Sequence, residues 1–428
     1  MPSAAPFPKS FDGPFVGPSR ARSRQGIAFS TAAAEGRFKL QKCAACSQVC
    51  YPAREICPKC WSLELVWTDM PEGGELIAES TLRTSFNSYF QQRLPWRIGS
   101  IKLDAGPVVL AHIHGDVPST VPGMVPTALQ GLASAPARVR MIARTDKSGQ
   151  GVLFALPEQE TPKMMDDRQL RTLTCDPKSR RVLITDGRSA TGQAMVKALV
   201  TAGASQIFAG FTAGAKPQPG EDQLRTLPGV KPVPLDLSDA RSVTELAGEI
   251  GDTVDILINT ATFFRPGDAM AQQDTATARE EMEVNYFGLL RLVQAFGPAM
   301  RLRGTGEDRD ACAWVNLFSV YALSSRSAYG TSSASQAAAY SLSQNLRADL
   351  AGSGVKVINV LSGPVDDAWN QSLPPPKVSP SQLAAAVVDA LQQGIENVTL
   401  GPVAEDIVQR FREDPMLLER ELISRSAP

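Results

Sequence analysis

Four cysteines offer the plainest chemistry in this sequence. Cys43 and Cys46 form one Cys-x-x-Cys pair, and Cys57 and Cys60 form a second. Each pair directs two sulfurs to one spot from a tight turn, and two such turns supply the four thiolates that a structural zinc site prefers. Because four protein ligands leave no position for water, this zinc is expected to hold structure and not to catalyse. The alternative is two disulfides or unrelated cysteines, and Cys50 lies between the pairs at the wrong spacing for a ligand.

The composition excludes several classes of protein. With 428 residues the chain is expected to form two to three domains. Its 43 basic residues are balanced by 44 acidic ones, which argues against a nucleic-acid partner. No apolar run approaches the roughly 20 residues that cross a bilayer, and the first residues contain no apolar signal core. Four of the seven cysteines stand in a metal pattern, which is typical of a reducing compartment, so we expect a cytoplasmic protein without a membrane partner.

The first half of the chain predicts small, separate units. Residues 1–30 are rich in Pro, Gly, Ser and Ala, which favours a disordered tail, with a basic docking arm as the alternative. Residues 31–64 hold the cysteine pairs. Residues 65–158 contain five or six short strand-like runs separated by Gly and Pro, a pattern that predicts a small barrel of the OB type. Residues 159–179 contain prolines and a charged centre and are expected to form a linker.

From residue 180 to residue 428 the pattern changes to short buried runs that alternate with helical periodicity. Apolar runs at 182–184, 206–209, 255–259 and 314–318 are typical of buried parallel strands. The sequence therefore predicts an α/β doubly wound parallel sheet of the Rossmann type. In such a sheet ligands bind at the carboxyl ends of the strands, near the point where the strand order reverses.

The first half resembles a zinc-ribbon plus OB-fold family whose members accompany thiolase-like enzymes and related acyl-CoA aldolases and hydratases. The resemblance covers residues 30–158 and rests on the stretches GRFKLQKC at 36–43, YPAR at 51–54, CPKC at 57–60 and residues 73–80. It implies a rubredoxin-like zinc ribbon followed by an OB-fold barrel. Members usually carry no active site, and they complete the oligomer of the partner and help to shape its acyl-CoA channel.

The second half resembles the short-chain dehydrogenase/reductase family, whose catalytic residues are a Ser, a Tyr, a Lys and a helix Asn. The resemblance places the helix asparagine at Asn285, the serine at Ser319 and the tyrosine at Tyr329. The lysine of the Tyr-x-x-x-Lys motif is replaced by Ser333. The cofactor-binding positions implied by the resemblance are Asp186, Arg188, Ala190, Gly192, Asp236, Leu237, Asn259 and Ala261.

Two departures from the family weaken this site. The pKa of a free tyrosine is about 10, and ionisation near neutral pH needs a decrease of roughly 3, which corresponds to about 4 kcal/mol. The uncharged Ser333 cannot supply that stabilisation. Asp186 stands where the family's turn TGxxxGxG has its first glycine, and a carboxylate about 4 Å from a phosphate costs on the order of 4 kcal/mol at an effective dielectric constant near 20. Arg188 would offset this cost if it faced the phosphates.

Two hypotheses follow for the function. The first is a non-catalytic or weakly catalytic subunit that docks on a thiolase-like or aldolase-like acyl-CoA enzyme and keeps a pseudo-dehydrogenase domain for assembly, as an oligomer or with an active short-chain dehydrogenase. The second is an active NAD(P)-dependent 3-hydroxyacyl-CoA dehydrogenase that uses Tyr329 and Ser319 without the usual lysine. The first predicts structural zinc and no tight NAD(P) binding, and the second requires both zinc and NAD(P).

Overall fold

The computed structural model describes most of the chain: residues 24–119, 137–212, 214, 219–270, 272–304, 311–371 and 373–424. Within these residues the chain forms a three-stranded sheet, a closed five-stranded barrel and a seven-stranded sheet. None of the helices in this described part is long and apolar enough to cross a membrane.

The first helix, α1 (Arg24–Ala34), begins inside the stretch that the sequence predicted to be a disordered tail. It packs between the ribbon and the barrel, where the Phe29 ring stacks on Trp67 with their centres 6.4 Å apart. The tail prediction is therefore wrong for the helical residues from Arg24 to residue 30. The rest of that prediction, with the suggested docking arm, falls on residues 1–23, which lie outside the described residues.

A three-stranded antiparallel sheet carries the cysteine pairs. Its strands are β1 (Lys39–Cys43), β2 (Val49–Cys50) and β3 (Leu65–Asp69). β1 lies in the centre, and the Gln41 side chain fixes the turn between the cysteine pairs because it donates to Arg54 O (2.9 Å) and accepts from Arg54 N (2.7 Å). The sequence placed β3 among the barrel strands, but its pairing with β1 assigns it to the ribbon.

Five strands close into a barrel, as the strand-like runs predict. They are β4 (Gly73–Leu82), β5 (Trp96–Leu103), β6 (Val108–Ile113), β7 (Ala137–Thr145) and β8 (Gly151–Pro157), with the short helix α2 (Ser88–Gln91) before β5. Around the barrel the order is β4-β5-β6-β8-β7, and only the pairing of β6 with β8 is parallel. Alternate residues such as Leu76, Ile101 and Val109 point inward and are buried, so the predicted OB-fold barrel is confirmed.

The connection after the barrel is packed and partly helical. It contains a 3-10 turn (Met164–Asp166) and the short helix α3 (Arg168–Arg171), in which the Asp167 carboxylate accepts from Leu170 N. Leu170 and Leu173 are buried in a cluster with barrel side chains. The segment predicted as a linker is therefore packed against the barrel, which it connects to the second sheet.

Seven parallel strands form the second sheet, and the predicted doubly wound fold is confirmed. The strands are β9 (Arg181–Ile184), β10 (Gln206–Phe211), β11 (Val230–Pro234), β12 (Ile256–Asn259), β13 (Ala313–Ser319), β14 (Lys356–Ser362) and β15 (Asn397–Leu400). Their order is β11-β10-β9-β12-β13-β14-β15, so the order reverses between β9 and β12. The loops that follow β9, β12 and β13 meet at this edge, where ligands bind in such sheets.

Helices cover both faces of this sheet. They are α4 (Ala190–Thr201), α5 (Glu221–Leu224), α6 (Ala240–Ile250), α7 (Ala276–Met282), α8 (Leu289–Arg303), α9 (Gly330–Asp349), α10 (Pro380–Gln393), α11 (Pro402–Glu413) and α12 (Pro415–Ser424). α6 buries Val243, Leu246 and Ile250, which recur at the spacing of one helix face. A π-helical turn (Glu283–Gly288) joins α7 to α8.

Two buried cations join the barrel to the second sheet. The Lys356 ammonium donates to Thr145 O (2.8 Å), to Thr145 Oγ1 (2.7 Å) and to Gly394 O (3.3 Å). The Arg144 guanidinium donates to the backbone and side-chain oxygens of Gln393 at 2.6 and 3.0 Å. Because a buried charge is tolerated only with such partners, the two halves are fixed in one arrangement.

The substitution Lys356→Met tests this contact. It removes three hydrogen bonds from buried acceptors at once, so we expect a loss of about 3–5 kcal/mol in the free energy of unfolding, seen as a lower urea midpoint. The control is Lys231→Met, which removes an exposed lysine that pairs with the exposed Glu249 and lies 6.0 Å from the Phe208 ring centre, and it should change stability by less than about 1 kcal/mol. Equal midpoints for the two variants would contradict this account of the contact.

Candidate functional site

The structure brings the four predicted cysteines together. Their sulfur atoms all lie within 4.8 Å of one another, with Cys43 Sγ 3.5 Å from Cys60 Sγ and Cys46 Sγ 3.6 Å from Cys57 Sγ. A tetrahedral zinc with Zn–S bonds of about 2.3 Å requires sulfurs about 3.8 Å apart. The four residues therefore fit a closed, structural zinc centre, and its ion would hold the two turns together.

The pKa values of the cysteines in the cluster are shifted in different directions. At Cys60 the Ser62 N–H lowers the pKa, but the hydrogen bond with the Cys46 sulfur, burial and the other neighbouring sulfurs outweigh it and raise the pKa to about 12. A backbone N–H lowers the pKa of Cys43. Burial raises the pKa of Cys57, but the N–H groups of Cys60 and Lys59 outweigh it and bring that pKa to about 6. At the nearby Cys50, burial raises the pKa of the thiol, and its sulfur lies 3.9 Å from Gln48 O. Cys50 is thus a packed thiol beside the cluster.

The residues matched to the dehydrogenase site converge at the carboxyl ends of β12 and β13. Tyr329, Ser333 and Gln336 follow one another at helical spacing on one face of α9 and its first turn. Tyr329 and Gln336, together with Ser319 at the end of β13, line a cavity of about 100 Å³, whereas Ser333 is buried behind its wall. The wall of that cavity also includes Trp369, which packs edge to face on Phe263.

Tyr329 is held in an aromatic stack. Its ring lies 4.2 Å from the Tyr321 ring and 5.1 Å from the Phe264 ring, centre to centre. Within the described residues its buried hydroxyl has no hydrogen-bond partner. Burial, followed by the nearby Tyr321, raises the pKa of Tyr329, and the opposing effect of Arg326 is smaller than the effect of burial. This shift is opposite to the one that a catalytic tyrosine needs at neutral pH.

No lysine or arginine lines this cavity among the described residues; its single charged side chain is Asp367. Ser333 is buried, and its hydroxyl lacks a hydrogen-bond partner in the same part of the chain. Arg326 does not reach the cavity wall. The site thus contains the tyrosine and serine of the family without a cation to stabilise a phenolate.

Ser319 and Asn285 are engaged in internal hydrogen bonds. The Ser319 hydroxyl caps the next turn by accepting from Tyr321 N (3.3 Å). Asn285, in the π-helical turn, donates to Phe263 O (2.8 Å) and to Ser335 Oγ (2.9 Å), and its oxygen accepts from Phe263 N (2.9 Å). Asn285 therefore ties the loop after β12 to α9.

Gln336 is a site residue that the sequence comparison missed. Its oxygen accepts from Ser319 N, and its amide donates to Thr262 Oγ1, both at 3.3 Å. It lies seven residues after Tyr329, on the same helix face, and that spacing is the signal that could have identified it. The uncharged amide of Gln336 thus lines the cavity from which the family's lysine is missing.

The turn after β9 is closed by its own side chains. The Asp186 carboxylate accepts from Arg188 N (2.9 Å) and Ser189 N (3.3 Å), and burial raises its pKa. The Ser189 hydroxyl caps α4 by accepting from Gly192 N (3.1 Å). A side chain at Gly192 would meet Asp186 O at 1.9 Å, so this glycine is required where α4 passes the turn. Ala190, at the second glycine position of the family, is the first residue of α4.

Arg188 does not face the space in front of this turn. Its side chain is buried and pairs with Glu221, with Nε 2.9 Å from the carboxylate, and Nη1 donates to Thr212 O (3.3 Å). The expectation that Arg188 offsets the charge of Asp186 towards a phosphate is therefore not met by this arrangement. Instead Arg188 fastens the turn to the loop after β10.

Hydrogen bonds also connect the turn after β9 to the loop after β12. The Thr185 hydroxyl donates to Asn259 Oδ1 (2.9 Å) and accepts from Thr260 N (3.0 Å) and Ala261 N (3.1 Å). The Thr260 hydroxyl, at the family's second asparagine, donates to Asp186 O (2.8 Å).

The loop after β11 is likewise occupied by internal contacts. The Asp236 carboxylate accepts from Ser238 N (2.9 Å), and Arg291 donates to Leu237 O (2.8 Å). Asp236 and Leu237 therefore hold the local chain, in the position where the family places the adenine.

Comparisons with known proteins agree with this architecture. The ChsH2 rubredoxin-like zinc ribbon model matches residues 30–66, the ChsH2 C-terminal OB-fold model matches residues 67–125, and the short chain dehydrogenase model matches residues 180–377. The uncharacterized oxidoreductase MW2403 of Staphylococcus aureus is 30% identical over 235 residues, which are 52% of this chain and 96% of that protein. The chain belongs to the short-chain dehydrogenase family. It carries ChsH2-type ribbon and OB-fold domains in front of the dehydrogenase-type domain.

Other relatives match the same half. The uncharacterized oxidoreductase Mb1570 of Mycobacterium bovis is 29% identical over 240 residues, which are 53% of this chain and 68% of that protein. Among solved structures, a short chain dehydrogenase from Burkholderia cenocepacia J2315 in complex with NADP is 30% identical, with a TM-score of 0.52. That match covers 59% of this chain and all of the solved chain.

The zinc centre is tested by Cys57→Ser. Loss of one of four thiolate ligands should remove most of the roughly one zinc per chain, because the closed site needs all four. The measurement is the metal content of the purified chain by mass spectrometry. Cys50→Ser is the matched control and should keep its zinc. Equal zinc content in the two variants, or loss in the Cys50 variant alone, would contradict the assignment.

Proposed function

We propose that this chain is a subunit of an acyl-CoA-processing complex whose own dehydrogenase site does not turn over. Its ribbon and OB-fold barrel dock on a thiolase-like or aldolase-like enzyme, and its dehydrogenase-type domain serves assembly, with another copy or with an active short-chain dehydrogenase. The family match of the first half to ChsH2-type domains supports a partner that handles acyl-CoA substrates.

The observation that carries the proposal is the environment of Tyr329. The phenol is buried, it lacks a hydrogen-bond partner among the described residues, and burial raises its pKa. Ser333 stands in place of the lysine, and in the described part of the chain no cation lines the cavity. A proton transfer by this tyrosine at neutral pH would therefore lack the roughly 4 kcal/mol that a neighbouring charge supplies.

The docking role is supported by the distribution of exposed apolar side chains. Ten of the sixteen exposed large hydrophobic residues in the described part of the chain lie before residue 111, in α1, the ribbon and the barrel. On the ribbon, Trp61 and Leu63 expose 79% and 74% of their surface. Barrel strands add Ile77 and Leu110. Exposed apolar residues gathered in one part of a protein favour a protein interface there.

An active dehydrogenase is the second candidate. It is supported by the 30% identity to a solved short chain dehydrogenase in complex with NADP. It is also supported by the start of α4, where the N–H groups of Ala190 and Thr191 have no acceptor within the described residues. Helix N-termini of this kind bind phosphates. Nucleotide binding therefore distinguishes the two candidates.

A titration with NADH and NADPH, followed by nucleotide fluorescence, tests the proposal. We expect no saturation for the natural chain up to about 1 mM, because Asp186 occupies two of the turn's N–H groups and Ser333 offers no charge. The double variant Asp186→Gly, Ser333→Lys restores two of the family residues and is expected to gain binding. Micromolar binding by the natural chain would support the second candidate instead.

Partner capture tests the docking surface. A tagged natural chain expressed in its own cells should retain a thiolase-like or aldolase-like enzyme, identified by mass spectrometry. The variant Trp61→Ser, Leu63→Ser should reduce that recovery by at least about tenfold, because exposed aromatic and aliphatic anchors carry much of an interface.

The matched control is Met416→Ser, Leu417→Ser, which changes exposed apolar residues on α12. It should leave the recovery unchanged. A natural chain that retains no such enzyme, or equal recovery with the ribbon variant, would contradict the docking role.

A further inference from the structure

A basic cleft lies between the barrel, the connection after it and the second sheet. Its volume is about 1180 Å³, and it opens at the amino ends of the parallel strands. Its basic side chains come from a loop before β5, from the turn between β7 and β8, from the connection and from strand starts. They are Arg93, Lys147, Lys163, Arg168, Arg171, Lys178, Arg180, Arg181 and Lys356.

The charge of this cleft contrasts with that of the chain. The whole sequence has almost equal numbers of basic and acidic residues, but the cleft wall has nine basic and three acidic side chains. Two of the three acids are already paired, since Asp255 contacts Arg181 at 3.2 Å and Asp166 contacts Lys178 at 3.0 Å. The wall therefore has an excess of positive charge and is suited to an anion.

Two cations on the connection are available to a ligand. Neither the Lys163 nor the Arg171 side chain forms a hydrogen bond or an ion pair within the described residues, and both are exposed. Arg168 is also exposed, although two of its nitrogens donate weakly to backbone oxygens of the loop before β5, both at 3.3 Å. Ser179 lines the same wall, and its hydroxyl adds a donor for a phosphate, whereas the Thr172 hydroxyl already donates to Gln169 O (2.6 Å).

The lining also indicates which kind of anion fits. Within the described residues no aromatic side chain lines the cleft, so a ligand would be held through its phosphates and not by stacking of a base. An adjoining cavity of about 450 Å³ shares Lys163 and Lys178 with the cleft. Its wall combines the apolar side chains of Ile142, Leu156 and Leu170 with charged ones, among them Arg140, Arg144 and Glu160. A ligand with a phosphate-rich end and a less polar arm would occupy both spaces.

We propose that this cleft binds a small anion that carries more than one phosphate group. Two sources share this chemistry: the nucleotide end of coenzyme A, which rests on the proposed function, and a free nucleoside triphosphate or polyphosphate. The adjoining cavity, with its mixed polar and apolar wall, favours coenzyme A, because the amide-containing arm of coenzyme A would enter it and a bare polyphosphate would leave it unused. The site lies at the amino ends of the strands, and the dehydrogenase cavity lies at their carboxyl ends, so the two are separate.

Calorimetric titration of the zinc-loaded full chain tests the proposal. The probes are desulfo-coenzyme A, ATP and inorganic tripolyphosphate, each at low salt and at about 0.15 M salt. The test variant is Lys163→Ala, Arg171→Ala. The matched control is Lys102→Ala, Arg241→Ala, which removes two exposed cations that do not line the cleft. Zinc content and circular dichroism establish that each variant is folded.

We expect saturable binding of desulfo-coenzyme A that weakens at least about tenfold in the cleft variant and stays unchanged in the control. Stronger binding of ATP or tripolyphosphate, with the same loss in the cleft variant, would support the site and identify the free polyphosphate source. Absence of saturable binding by all three probes, or equal affinities in the two variants, would overturn the proposal. Because NADPH also carries several phosphate groups, the nucleotide titration is repeated with the cleft variant, which separates binding in the cleft from binding at the dehydrogenase cavity. Partner capture does not depend on the cleft, so failure here is distinguishable from failure of the proposed function.

Discussion

A buried phenol is harder to ionise when no cation lines its cavity, and the proposed function of the second half of the chain depends on this constraint. Tyr329 lies between the Tyr321 and Phe264 rings, so the loss of water around its hydroxyl raises its pKa. In the short-chain dehydrogenase family a lysine one helical turn later opposes that effect. Here Ser333 occupies that position and supplies no charge, and the effect of Arg326 is smaller than that of burial.

At the carboxyl ends of the strands, where the family binds its cofactor, polar groups of this chain form hydrogen bonds with one another. Asp186 binds the N–H groups of its own turn, and Thr260 ties that turn to the loop after β12. The Gln336 side chain accepts a hydrogen bond from Ser319 N at the end of β13. Each bond satisfies a polar group that would otherwise be buried without a partner. The edge is therefore stable as it stands, which fits a domain kept for its surfaces and its attachment to the barrel.

Much of the architecture could be predicted from the sequence because it depends on short-range patterns. The spacing of Cys43, Cys46, Cys57 and Cys60 determines that four sulfurs can meet, and the alternation of buried runs with helical periodicity determines the parallel sheet. The tetrad positions could be matched only through the family resemblance, and their roles stay predictions.

What could not be predicted depends on tertiary contacts. Strand β3 has an ordinary strand pattern, and only its pairing with β1 shows that it belongs to the ribbon. Helix α1 is stabilised by packing between the ribbon and the barrel, where Phe29 meets Trp67. The basic cleft gathers side chains from distant parts of the chain, so no local pattern indicates it.

The most direct test of the account is turnover itself. The natural chain and Tyr329→Phe would be assayed with a panel of 3-hydroxyacyl-CoA substrates and both NAD⁺ and NADP⁺, following the reduced nucleotide by its absorbance. The account predicts no turnover above background for either protein. Turnover by the natural chain that disappears in Tyr329→Phe would contradict it, because the phenol would then be acting as an acid or base despite its burial.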